Sequence, residues 1–328
     1  MLNRHKLRIR VLQILYGLHL CGTEKPEIFC EKLHSCLTHL YDLYLLLLDL
    51  LGSVHHQAVL EREKAREKFF PDKFDLMPET AFTRNCILQK ISNDPTLKKL
   101  IQSRGLSWHP HTELPGHLFA VIRENLAYRE YLHADRNSGK QDKRILLQLL
   151  DEVFIPDPLL TSIIEERFLF GTEDREIAFG MLARTIENTP VNEGLRLIPE
   201  LQEQDEDYRF AMRLGVTAIE KKDILEQYIV RSLKNWEPDR VAPLDMLLLR
   251  LGGAELHGLE EVPVKVTLNE YIELSKEYST PKSANFLNGV LDTMARIMQK
   301  EGMINKSGKG LLDTADSIKS ISKKTISS

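Results

Sequence analysis

VAPLDMLLLRLGGAELHGL (residues 241–259), VTLNEYIELSKEYS (266–279) and SANFLNGVLDTMARIMQ (283–299) decide the fold of this chain. In the first stretch Leu244, Leu247, Leu248, Leu251 and Leu256 recur mostly at three- or four-residue steps, the period of a helix with one apolar stripe. Asp245, Arg250 and Glu255 punctuate that stripe. Pro263 has no backbone donor and restrains Val262, so the helix stops before it. The second stretch sets Leu268, Tyr271, Ile272 and Ser275 on one helical face, and Pro281 interrupts again. The third lines up Leu287, Val290, Leu291, Met294, Ile297 and Met298.

Far from these stretches, residues 4–20 read as a helix with two apolar faces. Leu7, Val11, Ile14, Leu15 and Leu18 make one; Ile9, Leu12, Tyr16 and Leu20 make the other. Such a helix is expected between other elements. Its charged and polar residues take the edges, Lys6, Arg10 and Gln13 on one and Arg4 and Arg8 on the other. The first turn, Arg4-His5-Lys6, is cationic and opposes the helix dipole. A phosphate at that end would meet both free N–H groups and cations; the plainer alternative is a solvated basic end without a ligand.

D-x-x-LLRLGGAEL, VPVKVTLNEYIELSKEYS and PKSANFLNGVLD resemble the C-terminal half of the NusB family of transcription antitermination factors. The resemblance rests on Asp245, Leu249-Arg250-Leu251, Ala254-Glu255-Leu256, Asn269, Glu270 and Glu273, and on Phe286, Asn288, Gly289, Val290, Leu291 and Asp292. At the other end, R-x-x-x-R-x-x-x-L-Q-x-L-Y is similar to the family's first helix, with Arg4, Lys6, Arg8, Gln13, Leu15 and Tyr16 at matching positions. His5 stands where the family often has arginine, which makes one charge pH-dependent, and Arg10 stands where a small residue is usual.

The resemblance implies an all-α, NusB-like bundle of two packed helical sub-bundles, formed by residues 1–20 and 201–300. It implies RNA contacts from Arg4, His5, Lys6, Arg8, Arg10, Gln13 and Tyr16, from Tyr228, and from Lys282, Asn285 and Phe286. Tyr228 can equally be a core-edge tyrosine. Phe286 lies at the edge of its helix's apolar arc, so it is either partly buried or a platform for a base, worth about 1–3 kcal/mol in stacking. Lys282 occupies a family acidic position. The implied ligand is single-stranded RNA with a boxA-type element. The implied partners are the small-subunit ribosomal protein NusE, placed near Asp245, Arg250 and Glu255, then RNA polymerase and other Nus factors, in the cytoplasm and away from membranes.

Residues 24–200 depart from the family pattern, which has only a short connection there. Residues 21–200 are therefore expected to form a helical insertion. Helices are expected over Pro26–Lys68 (one or two), Phe82–Leu100, Leu118–Leu132, Arg144–Phe154, Pro156–Phe170 and Asp174–Ile186, with NSGKQDK a loop. DREIAFGMLARTIENT (174–189) echoes DYRFAMRLGVTAIEKK (207–222), either a duplication or two helices with similar tasks. Residues 305–328, rich in Ser, Lys and Gly, are expected to be disordered.

Composition narrows the alternatives. The chain has 328 residues, is 42% hydrophobic and carries a net charge of −4, so any nucleic-acid contact is a local patch. Cys21, Cys30, Cys36 and Cys86 lack zinc spacing and read as reduced thiols. Gln13 and His19 interrupt the first apolar run, which is not read as a signal peptide. The Leu-rich run from Leu43 to Leu51 contains Asp49 and is shorter than the roughly 20 residues a bilayer needs. There is no catalytic motif, and nothing calls for a metal or an organic cofactor. Two rivals to an RNA-binding factor stand beside it. One is a scaffold whose insertion recruits transcription or ribosome-assembly proteins; the other is a degenerate module of the kind that precedes ribosomal RNA methyltransferase domains.

Overall fold

A computed structural model describes residues 3–67, 80–133, 138–233 and 237–313. These form helices and no strand: α1 (Arg4–Leu20), α2 (Pro26–Glu67), α3 (Thr80–Thr83), α4 (Cys86–Asn93), α5 (Pro95–Ser103), α6 (Leu114–Glu124), α7 (Leu126–His133), α8 (Gly139–Leu149), α9 (Pro158–Arg167), α10 (Gly171–Asn188), α11 (Glu206–Glu220), α12 (Lys222–Ser232), α13 (Pro243–Gly258), α14 (Val264–Tyr278) and α15 (Ser283–Lys300). Two compact units result, one from Leu2–Ser35 with Leu201–Ser328, the other from Cys36–Glu200.

In the first unit α13 is the axis. Every residue from Leu247 to Leu256 is buried, and α1, α11, α12, α14 and α15 pack on it. Gly252 and Gly253 make that approach possible. A Cβ at 252 would sit 2.7 Å from Leu291 Cδ2, and one at 253 would sit 2.4 Å from Met294 Cε. α15 faces α13 with Leu287, Val290, Leu291, Met294 and Met298, all at most 5% exposed. α14 turns differently from its expected face. Thr267, Tyr271, Leu274 and Ser275 are buried, while Leu268 and Ile272 are half-buried. The reason is a buried carboxylate on α13 that draws the Thr267 and Tyr271 hydroxyls inward.

α1 is buried on both faces against α11 and α13, and Asn3 caps it by accepting from the Lys6 amide at 2.8 Å. Tyr16 is half-buried and Leu20 is 67% exposed, so the second face fades toward its end. The unit also takes in the start of α2. Phe29 presses on α11 so closely that a Cβ on Gly215 would lie 2.0 Å from its Cζ.

The segment after α15 is ordered as far as Asp313, and residues 314–328 lie outside the described residues. The expectation of disorder from residue 305 fails for this part because the segment closes the C-terminal end of α13. His257 Nδ1 donates to the Met303 carbonyl (2.9 Å), and Lys306 donates to the carbonyls of Leu259 (2.9 Å) and Glu255 (3.3 Å). Gly310 lies where a Cβ would be 2.1 Å from the Glu260 carbonyl oxygen.

The second unit is built on α2. By length and composition α2 could cross a membrane, but Leu43, Tyr44, Leu45, Leu46, Leu47 and Leu48 are at most 1% exposed within protein. Tyr44 exchanges a hydrogen bond with Thr185 of α10 (2.7 Å), and Trp108 donates to the Leu46 carbonyl (3.0 Å). Several expected helices are broken by caps. Asn85 accepts from the Ile87 and Leu88 amides, and Asp94 with Pro95 starts α5, so 82–100 is three helices. Asn125 divides 118–132 by accepting from the Tyr128 amide. Ser138 and Gln141 form a capping box, so α8 begins inside the expected loop, and its end passes into a π-helical turn, Leu150–Phe154. The echoing helices fall in different units and use their glycines differently: nothing approaches Gly180, whereas Gly215 is pressed by Phe29.

Candidate nucleic-acid interface

The first turn of α1 brings its cations toward the surface, Arg4 and His5 already beside acids. Arg4 pairs with Glu206 (2.5 Å) and Asp207 (3.8 Å) at the start of α11, and its guanidinium lies 5.0 Å from the Phe210 ring centroid. His5 reaches along α14, with Nδ1 2.9 Å from Glu270 and Nε2 3.9 Å from Glu277. Arg4, His5 and Lys6 are half-buried. The sequence reading missed Glu206, Asp207 and Phe210; acids in the first turn of α11, which suit a helix N-terminus, were the available signal.

Arg8 and Arg10 do not share that exposure. Arg8 is 2% exposed and Arg10 4%. Arg8 makes a two-bond fork with Glu255, Nε to Oε2 and Nη2 to Oε1 at 2.7 Å each, and its guanidinium also lies 5.0 Å from the Phe210 ring centroid. Burial alone would lower its basicity, but Glu255 outweighs that and raises it, so the guanidinium stays charged. Arg10 donates to Gln13 at 3.3 Å.

Asp245, Arg250 and Glu255, expected at a protein-contact surface, are 6%, 3% and 0% exposed. Their side chains find partners from inside, with only Arg250 Nε left without one among the described residues. Glu255 takes Arg8, Thr267 Oγ1 (3.0 Å) and the Tyr271 hydroxyl (3.1 Å). Arg250 pairs with Glu24 through two 3.0 Å bonds. Burial would raise the Glu24 carboxyl, but Arg250, Lys222 and His19 together hold it at about 2. Asp245 accepts from Ser279 (2.6 Å) and Ser283 (2.8 Å), which fixes the corner between α14 and α15.

That corner carries Lys282, Asn285 and Phe286, whereas Tyr228 lies at the opposite end of α15, beside Glu301. Lys282 and Asn285 are exposed and Phe286 is half-buried on the first turns of α15. Tyr228 on α12 is 7% exposed and donates to Glu301 at 2.7 Å, while Arg231 lies over its ring at 5.2 Å and pairs with the same carboxylate. The Glu301 acceptor pushes the Tyr228 hydroxyl above its ordinary value. Core-edge and surface roles therefore meet in Tyr228. Among the described residues no group of three or more His, Cys, Asp or Glu side chains could hold a metal.

No solved structure matches the chain. The NusB family model matches residues 172–296, which adds α10 to the stretch from residue 205. The chain is similar to proteins named transcription antitermination protein NusB. It is 38% identical to that of Chloroherpeton thalassium over 104 residues, 32% of this chain and 49% of the relative. It is 38% identical to that of Salinibacter ruber over 112 residues, 34% of this chain and 70% of the relative. It is 39% identical to that of Bacillus licheniformis over 103 residues, 31% of this chain and 78% of the relative. The match thus spans about half the length of the first of these relatives and over two thirds of the other two. With the all-helical bundle around α13, this similarity makes the chain a member of the NusB family.

Proposed function

We propose that this chain is a cytoplasmic, RNA-binding transcription antitermination factor that grips boxA-type single-stranded RNA together with NusE, within an assembly of RNA polymerase and other Nus factors. The observation that carries the reading is the span of His5 along α14, from Glu270 to Glu277. Glu277 lies just before the corner clamped by Asp245, from which Lys282, Asn285 and Phe286 project. The basic turn of α1 and the aromatic edge of α15 thus border one helix. Arg4, His5 and Lys6 meet phosphates, Phe286 stacks a base, and Asp245 acts by holding the corner. Exchange of Glu206 for a phosphate is inexpensive, because surface ion pairs contribute about 0–1 kcal/mol.

The test is a salt titration of single-stranded RNA binding. Three or four phosphate contacts predict a log–log slope of roughly −2 to −3. Binding that ignores salt, or that is unchanged when Arg4 and Lys6 become Ala and Phe286 becomes Ala, would refute the reading.

A second reading keeps the family fold but gives the principal task to the unit Cys36–Glu200, most of which precedes the matched residues. In that case the chain is a scaffold. Partner proteins recovered with the full chain would then be lost on surface substitutions in that unit, with RNA affinity unaltered.

A further inference from the structure

The apolar run of α2 contains one acid, Leu45-Leu46-Leu47-Leu48-Asp49-Leu50-Leu51. Its six leucines are at most 2% exposed. Asp49 itself is half-buried, on the side of α2 that opens to a cleft. Among the described residues none forms a hydrogen bond or ion pair with Asp49, and burial is what raises its carboxyl. Asp49 lines a cleft of about 580 Å³, a size typical of small-ligand sites. Leu48, Ile91, Leu97 and Ile101 supply apolar wall from α2, α4 and α5. The other titratable groups in the cleft are His55, His56 and Lys98. His55 is committed elsewhere. Its Nε2 donates to the Thr83 carbonyl (3.0 Å), and its Nδ1 faces Ser92 Oγ (2.9 Å). His56 and Lys98 are exposed. The whole cleft precedes the residues matched by the family model.

We propose that this cleft binds an aliphatic cation, an ammonium or guanidinium on a hydrocarbon stem, with Asp49 receiving the charge and the leucine and isoleucine walls receiving the stem. Lys98 in the same cleft disfavours a second positive charge, so one cationic group is preferred over a polyamine. The stem belongs either to a free small amine or to a lysine or arginine side chain of a protein.

Calorimetric titration of the full chain tests this with n-pentylammonium, the uncharged n-pentanol, and a short peptide with a single lysine. Saturable binding of an ammonium probe is expected, with about tenfold or greater weakening for n-pentanol and for the Asp49→Asn variant, since either removes one charge of the pair. Tighter binding of the peptide assigns the stem to a protein; tighter binding of n-pentylammonium assigns it to a small molecule. Absence of saturation by both, or equal binding of n-pentanol, overturns the proposal. Should the Asn variant unfold, the carboxyl carbon of Asp49 followed by NMR against pH serves in the unsubstituted chain. Its titration midpoint falls when the amine is bound, and an unmoved midpoint overturns the proposal.

Discussion

The first turn of α1 and the middle of α13 belong to one unit and are both dense in charge, but they hold it in opposite ways. Arg4 and His5 are about one-third exposed, and their partner Glu206 is 79% exposed. Arg8, Arg250 and Glu255 are at most 3% exposed. Surface pairs are weak and exchangeable, contributing about 0–1 kcal/mol, whereas removing one member of a buried pair costs roughly 3–5 kcal/mol. The contrast separates cations in exchangeable pairs, the ones proposed to meet phosphate, from those that hold the helices together beneath them.

The largest effect that would break this contrast is at Glu255. Glu255→Gln strips Arg8 of its fork and is expected to lower stability by about 3–5 kcal/mol in urea unfolding. A loss under about 1 kcal/mol would put α13 on a par with the surface. Replacing Arg8 and Glu255 together by apolar residues should cost less than either change alone, a coupling that a double-mutant cycle measures.

Glu24→Gln comes next, on the order of 2–3 kcal/mol at neutral pH. The Glu24 carboxyl is depressed to about 2, so its contribution is present above the ordinary carboxylate value and is lost as pH falls toward 2. The variant should therefore lose the steepness of acid unfolding in that window. Phe286→Ala should weaken RNA binding by about 1–3 kcal/mol while leaving the unfolding midpoint nearly unmoved, as a half-buried stacking residue requires. The smallest effect belongs to Arg4→Ala: under about 1 kcal/mol in stability, with a salt slope shallower by roughly 0.7 if one phosphate contact is lost. An Arg4 change that unfolds the chain would erase the distinction.

The apolar periods of α13 and α15 and the two-faced α1 were legible because leucine and isoleucine report burial directly. α14 was legible only in part: Tyr271 and Ser275 are buried as expected, but Thr267 goes inward while Leu268 and Ile272 stay half-buried. A polar residue drawn inward by a buried carboxylate leaves no hydrophobic signal. Asp245, Arg250 and Glu255 were set near a partner by family resemblance alone, and their burial left no local signal because their partners lie up to 247 positions away in sequence. The divided helices of the second unit had their signals in plain view at Asn85, Asp94-Pro95, Asn125 and Ser138, but single caps are faint beside a continuing apolar period. No residue pattern announced the π-helical turn at Leu150–Phe154.

The fork between Arg8 and Glu255 joins residues 247 positions apart. Ribosomes add about 5–20 residues per second, so α1 waits roughly 12–50 s for the glutamate that anchors it. α1 is made long before it is fully secured, and until then its apolar faces are open to chaperones or to other nascent chains.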